Sequence, residues 1–301
     1  MIELRDEEVF YAFAPDMEPA LTVAQGTEFT LITKDCFANQ LKTNDDMLDD
    51  LDWDQINPAT GPVYIEGVKP GDLVRIDIRS IELTSKSVMT TIPGSGAISD
   101  IVEASTYVLD NHDSVLSLPT AKGLLKLPLQ PMIGVIGLAP NSQAVPTGTP
   151  GEHGGNMDCK LIGQGTSLYL RAAQEGGLFG CGDVHALMGD GEVLVCGAET
   201  AARLTFAISV VAGIDLPVPF LATPDSYVTI ASALTTDEAY QEAVDMMSRF
   251  LTQTAGLPIN DSGRLMSLVG NLAFCQVVDP MVTIRFEFPK NILRELGFVD
   301  M

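Results

Sequence analysis

Between residues 151 and 191, eleven of 41 positions are glycine, against 27 in all 301. Glycine is what a backbone needs to take positive φ or to approach a ligand closely, so this density accommodates something besides packing. The stretch opens GEHGGNMDCK, continues to FGCGDVHALMGDGEVLVCGAE, and holds two of the chain's three histidines, His153 and His185. A functional site is expected here.

Asp183 and His185 lie two apart in a segment flanked by hydrophobic residues, so on a strand both side chains leave one face and aim at one point. Asp158 follows Gly154, Gly155 and Asn156, a sequence suited to a tight turn that presents N–H groups and ends on a carboxylate. A metal with mixed oxygen and nitrogen ligands fits such a set. Gly189, Asp190 and Gly191 read as a hairpin turn whose return strand, 192–199, carries two more carboxylates. With a two-residue Asp190-Gly191 loop, the commoner form, Glu192 shares the face of Asp183 and His185. With a three-residue loop the register slips by one, every return-strand side chain changes face, and Glu199 replaces it. Read plainly, the same Gly-Asp-Gly is an everyday turn and Asp190 nothing more.

A net charge of -23 leaves no clustered Lys and Arg for a nucleic-acid backbone, and no apolar run reaches the length of a membrane span. The acidity aids solubility, and a neutral substrate would not be repelled by it. Five cysteines without a CxxC pair suggest a reducing compartment, and MIELRDEEVF lacks the basic start and apolar run of a signal peptide, so a cytoplasmic location is expected.

Strands are expected at 21–23, 28–33, 204–211, 227–233 and 281–288. In the segment 61–83, Val74, Ile76 and Ile78 alternate with Arg75, Asp77 and Arg79, and the alternation shifts at Ser80, which predicts a bulge. The apolar runs 124–129 and 132–138 read as buried strands, and the proline-rich 140–150 as the boundary between two parts, 1–145 and 146–301. In the acidic run 45–54, Asp50, Asp52 and Asp54 match the first three ligands of a calcium loop, but Gln55 and Gly61 break the match. The run is read as a solvated loop, with Trp53 packing or lining an entrance. Residues 91–99 are a polar loop, either a lid or a connection, and His112 sits in a surface turn. The one long helix spans 237–254, with a Thr235–Glu238 capping box and a stripe of Tyr240, Ala243, Val244, Met247 and Leu251; a second starts near Asp261 or Ser262, and a short third spans 291–296.

GGNMD, GDVHALMGDGE and the later Glu199 resemble the signature of the acetamidase/formamidase family, whose members hydrolyse short aliphatic amides. The likeness runs over nearly the whole chain, including TKDCF at 33–37 and GPVYIEGVKPGD at 61–72. One departure is Met157, where longer formamidases commonly show His; this chain places His153 ahead of the glycines instead. The resemblance implies a mainly β, α+β fold, with a sandwich- or barrel-like part intertwined with an α/β part, a homodimer, and a small neutral amide as substrate. It makes Asp35 a candidate metal ligand, although a turn-starting Asp is the plain alternative. The mechanism it suggests is a divalent metal, zinc before calcium, held by Asp158, Asp183, His185 and Asp35 and lowering the pKa of a water. Glu192 or Glu199 would move the proton, Gly154, Gly155 and Asn156 would hold the oxyanion, and His153 would orient substrate or add a ligand. Two alternatives stand beside it: a cysteine nucleophile among Cys36, Cys159 and Cys181, and a metal-binding homologue without catalysis.

Overall fold

The alternation at 74–79 is realised as the strand Leu73–Leu83, with Val74, Ile76 and Ile78 buried and Arg79 exposed. The bulge expected at Ser80 is present: Ser80 faces Thr205 while Ile78 faces the next residue, Phe206. In the computed structural model, which describes residues 2–301, this strand is fourth in a nine-stranded sheet. The order is Ile2–Leu4, Glu28–Thr33, Ala202–Val211, Leu73–Leu83, Ser167–Arg171, Phe220–Ala222, Ser226–Ala233, Val282–Pro289 and Asn271–Gln276.

An eleven-stranded sheet lies against it. Its main path is Gly123–Pro128, Val115–Thr120, Ser105–His112, Lys86–Thr91, Glu199–Thr200, Phe179–His185, Met132–Gly137 and Gly154–Asn156, with Ala59–Glu66 joining Phe179–His185 from the side. One core joins the two: Phe29, Ile76, Leu168, Phe206 and Ile230 from the first sheet, Val63, Ile133, Ile136, Phe179 and Val184 from the second. The far face of the nine-stranded sheet is also apolar, and Tyr169, Phe220, Tyr227 and Phe288 meet Ala243, Met247 and Phe250 of the helical region there. Strands buried on both faces form the middle of three layers, so the α+β, mainly β expectation holds. Both sheets take strands from either side of residue 146.

The helices are Thr236–Arg249, Ile259–Val269 and Lys290–Glu295. Thr235 caps the first by accepting the Glu238 N–H, and a π-helical turn, Phe250–Thr254, replaces its expected α-helical end. The stripe faces inward at Ala243, Met247 and Leu251, but Tyr240 is exposed. No helix among the described residues is long and apolar enough to cross a membrane. All five cysteines are free and buried.

Three local expectations fail. The run 124–129 is not a buried strand: Gly123–Pro128 is the outermost strand of its sheet, reaches past the core, and leaves Leu124 61% and Leu125 48% exposed. His112 ends a strand; the turn is Asp113-Ser114, both at positive φ, as a two-residue hairpin requires. Trp53 does not pack into the core and is 53% exposed.

Candidate functional site

The strand Phe179–His185 is buried at all seven positions. One edge pairs with Met132–Gly137 along its length. The other edge changes partner partway, pairing with Ala59–Glu66 up to Gly182 and with Glu199–Thr200 from Val184. Asp183 sits where the partners part, at φ 53°. Glu199 stands directly opposite His185, and residues opposed in an antiparallel pair share a face.

Four carboxylates surround the His185 Nε2 atom. Glu199 Oε2 lies at 3.2 Å, Asp183 Oδ1 at 3.3 Å, Asp158 Oδ1 at 3.8 Å and Glu192 Oε1 at 4.0 Å. The expected choice between Glu192 and Glu199 is overturned, because both face the site. No hairpin return strand exists; residues 186–198 form a loop, Glu192 reaches the histidine from it, and only Glu199–Thr200 rejoins the sheet. Asp190 in turn is more than a turn residue: it pairs with Lys160 at 2.8 Å and with buried Arg285 at 2.7 and 3.0 Å, fixing the loop beside Glu192.

Asp158, Asp183 and Glu192 all hold left-handed backbones, at φ 43°, 53° and 45°. Such conformations cost of order 1–3 kcal/mol each and persist where the surrounding structure imposes them. Two glycines make the room. A Cβ on Gly134 would overlap the Asp158 carboxylate and come within 2.5 Å of Asp183 Oδ2. One on Gly197 would lie 2.7 Å from His185 Nδ1, while the Gly197 N–H donates to Glu199 Oε1 at 2.8 Å.

The cage has too much negative charge for its single imidazole. Burial pushes the Asp158 and Glu192 carboxyls well up, with neighbouring carboxylates adding to it, and raises Glu199 to about 7 against the pull of His185. Burial alone would lower the His185 imidazole, but Glu199 and Asp183 outweigh it and hold it well above its ordinary range. Asp158 Oδ1 and Glu199 Oε2 are buried without a hydrogen-bond partner among the described residues. Unpaired buried acceptors converging on one point are what a cation would satisfy. The ligand atoms of Asp158, His185 and Glu192 lie within 4.8 Å of one another, as do those of Cys36, Asp183 and Glu199. Carboxylate, imidazole and thiol donors together suit a divalent transition metal, and the thiol and imidazole do not suit the all-oxygen shell of calcium.

The remaining expected residues stand around this cage in different ways. Asn156 Nδ2 donates to Asp279 at 2.7 Å and its Oδ1 has no partner among the described residues. Asp35 Oδ1 accepts the Phe37 and Asn39 N–H groups, and burial raises its carboxyl to about 6. It is near enough to feel Asp183 but belongs to neither ligand group. The Gly154 N–H donates to Gly151 O, and Gly155 pairs with Ile136 in the sheet. A Cβ on either glycine would strike backbone oxygen, so close approach accounts for both. His153 packs edge-on against Phe13, is lowered to about 4 by burial, and faces a cavity of about 700 Å³ that none of the cage residues lines.

Two participants, Asp279 and Gly134, were not anticipated, and a third, Cys36, was expected only as a nucleophile. Asp279, between the strands Asn271–Gln276 and Val282–Pro289, is raised to about 7 by burial and the Asp183 charge; its sequence surroundings are an unremarked turn. Gly134 sits in an apolar run, where a lone glycine in a strand is itself a sign of close approach. Cys36 is grouped with Asp183 and Glu199 as a candidate metal ligand, and burial with the Glu199 and Asp183 charges keeps its thiol well above the ordinary range.

Comparison with known proteins agrees with this architecture. A family model described as the acetamidase/formamidase family matches residues 2–147 and 141–284. The crystal structure of an acetamidase from Bacillus halodurans superposes with a TM-score of 0.95 at 38% identity, covering 99% of this chain and 100% of that one. A predicted acetamidase/formamidase from Thermoanaerobacter tengcongensis gives 0.94 at 40% identity, covering 99% of each. The formamidase of Methylophilus methylotrophus is 26% identical over 69% of this chain and 65% of its own, so the chain spans less than two thirds of that curated relative.

Proposed function

The chain belongs to the acetamidase/formamidase family, and on that premise we propose that it hydrolyses small aliphatic primary amides to a carboxylate and ammonia. The observation carrying this reading is the pair of unpartnered buried oxygens, Asp158 Oδ1 and Glu199 Oε2, turned toward His185 Nε2. Asp158, His185 and Glu192, with Asp183 and Cys36 beside them, would hold a divalent metal, zinc by the donor set. When bound, such a metal supplies Lewis acidity toward the amide carbonyl and toward water.

The chain's own groups then divide the proton work. Glu199 Oε1 is held by the Gly197 N–H, which leaves Oε2 to take a proton from the attacking water. The water oxygen forms the new C–O bond, the C–N bond breaks, and the same carboxyl returns the proton to the departing nitrogen. Burial, which raises this carboxyl, favours its holding the proton between the two halves of that transfer. Asn156, fixed through Nδ2 by Asp279, offers Oδ1 as acceptor for the substrate N–H. Gly154 and Gly155 close the turn that sets Asn156 and Asp158, and His153, neutral near pH 7, wedges that turn against Phe13. A cysteine nucleophile is disfavoured: burial holds Cys36, Cys181 and Cys196 well up, and Cys159, though lowered, is buried in a hydrogen bond with the free thiol Cys275, near Arg285. A homodimer and a cytoplasmic location complete the reading, supported by the family likeness and the free cysteines.

The test is ammonia release from formamide, acetamide and propionamide, before chelation, after it, and with zinc restored. Release that is lost and regained supports the reading. Release indifferent to exhaustive, metal-verified chelation returns the cysteine mechanism, and no release at all leaves a metal-binding homologue.

A further inference from the structure

The loop 186–198 that carries Glu192 also closes one side of a second cavity, of about 250 Å³. Its walls are Met89, Leu109, Leu116 and Leu118 from three adjoining strands and Leu187 and Met188 from the loop. One member of the cage, Glu192, 4.0 Å from His185 Nε2, lines it, and so does Gly197, whose N–H holds Glu199. The apolar cavity therefore meets the cage at Glu192. A formyl hydrogen or an acetyl methyl group would leave it unfilled. An apolar cavity of about 150 Å³ already takes up benzene.

Resting on the amidase reading above, we infer that this cavity receives the acyl chain and that the preferred substrate is a primary amide with an apolar acyl group of about four to six carbons. Each methylene moved from water into the cavity raises kcat/KM about three- to fourfold, so hexanamide exceeds acetamide by on the order of 100-fold. Leu118 is the discriminating position, because it is partly exposed and has no part in the proposed proton transfer or metal binding.

The experiment measures kcat/KM for formamide, acetamide, butyramide, hexanamide and decanamide with the wild-type protein, Leu118→Trp and Leu118→Ala. The expected result is a rise to hexanamide and a fall at decanamide. Leu118→Trp should lower hexanamide turnover at least tenfold with acetamide within about twofold, and Leu118→Ala should keep or extend the long-chain preference. Thermal melts establish that each variant folds; if Leu118→Trp does not, Leu127→Phe fills the same cavity. Acetamide turnover with a flat or falling series overturns the inference and leaves the amidase reading intact. No turnover of any amide overturns the amidase reading, and the acyl pocket with it.

Discussion

Glu199 illustrates how much of the site's chemistry is set by surroundings at the scale of one residue. Its Oε1 is committed to a backbone N–H, its Oε2 is buried 3.2 Å from His185 Nε2, and burial brings the carboxyl to about 7. Glu199→Gln keeps the shape and removes the proton carrier, so ammonia release is expected to fall about 10²- to 10⁴-fold while the melting midpoint holds. Gly134→Ala acts sterically on the same centre. Its Cβ has no space beside Asp158 and Asp183, and we expect roughly 1–3 kcal/mol of lost stability in urea titration together with loss of turnover. The raised carboxyls also fix the sign of a pH effect. Glu199 and Asp279, both at about 7, bind their protons more tightly folded than unfolded, so their contribution is fully present at low pH and lost as pH rises through about 7. The melting midpoint of the chelated protein should fall between about pH 4.5 and 7.5, and Glu199→Gln should flatten that fall. A midpoint that climbs across this window would contradict the assignment.

At the scale of elements, the decisive piece is the loop 186–198, and it was the least legible. Gly-Asp-Gly reads as a tight hairpin, since its local chemistry is that of a two-residue turn. The chain instead uses Asp190 as an anchor for buried Arg285 and Lys160, and Gly191 meets Cys275 and Val277 through backbone hydrogen bonds. These partners lie far away in sequence, so no local pattern announces them. Asp190→Asn should weaken the anchor and let Glu192 shift; a tenfold or larger loss of turnover with a small change in midpoint is the expected signature. The helix Thr236–Arg249 is the contrast, legible because a capping box and an apolar stripe are local. Thr235→Ala should cost about 1 kcal/mol in urea titration and leave turnover unchanged.

Across the whole molecule, metal binding and folding are expected to be linked. The cage gathers side chains from positions 36 to 199, so a cation held there joins both sides of the sequence at one point of the eleven-stranded sheet. Zinc at about 100 times its Kd should add about 2.7 kcal/mol of stability, read as a concentration-dependent rise in midpoint. The rise should be larger at pH 8 than at pH 6, because the ligands bind as deprotonated groups.

The sequence by itself determined the strand patterns, the Ser80 bulge, the capped helix and the placing of Asp158, Asp183 and His185 in one glycine-rich segment. Period, capping and turn chemistry are local, and they are written in neighbouring residues. Only the tertiary structure decided that Glu192 and Glu199 both lie beside His185, that Asp279 and Cys36 stand near them, and that Leu124 and Leu125 stay exposed. Each of those outcomes depends on which strands become neighbours, as where Phe179–His185 exchanges Ala59–Glu66 for Glu199–Thr200 along one edge. Such pairing is settled by burial of the whole sheet, and a single strand carries little record of its partner.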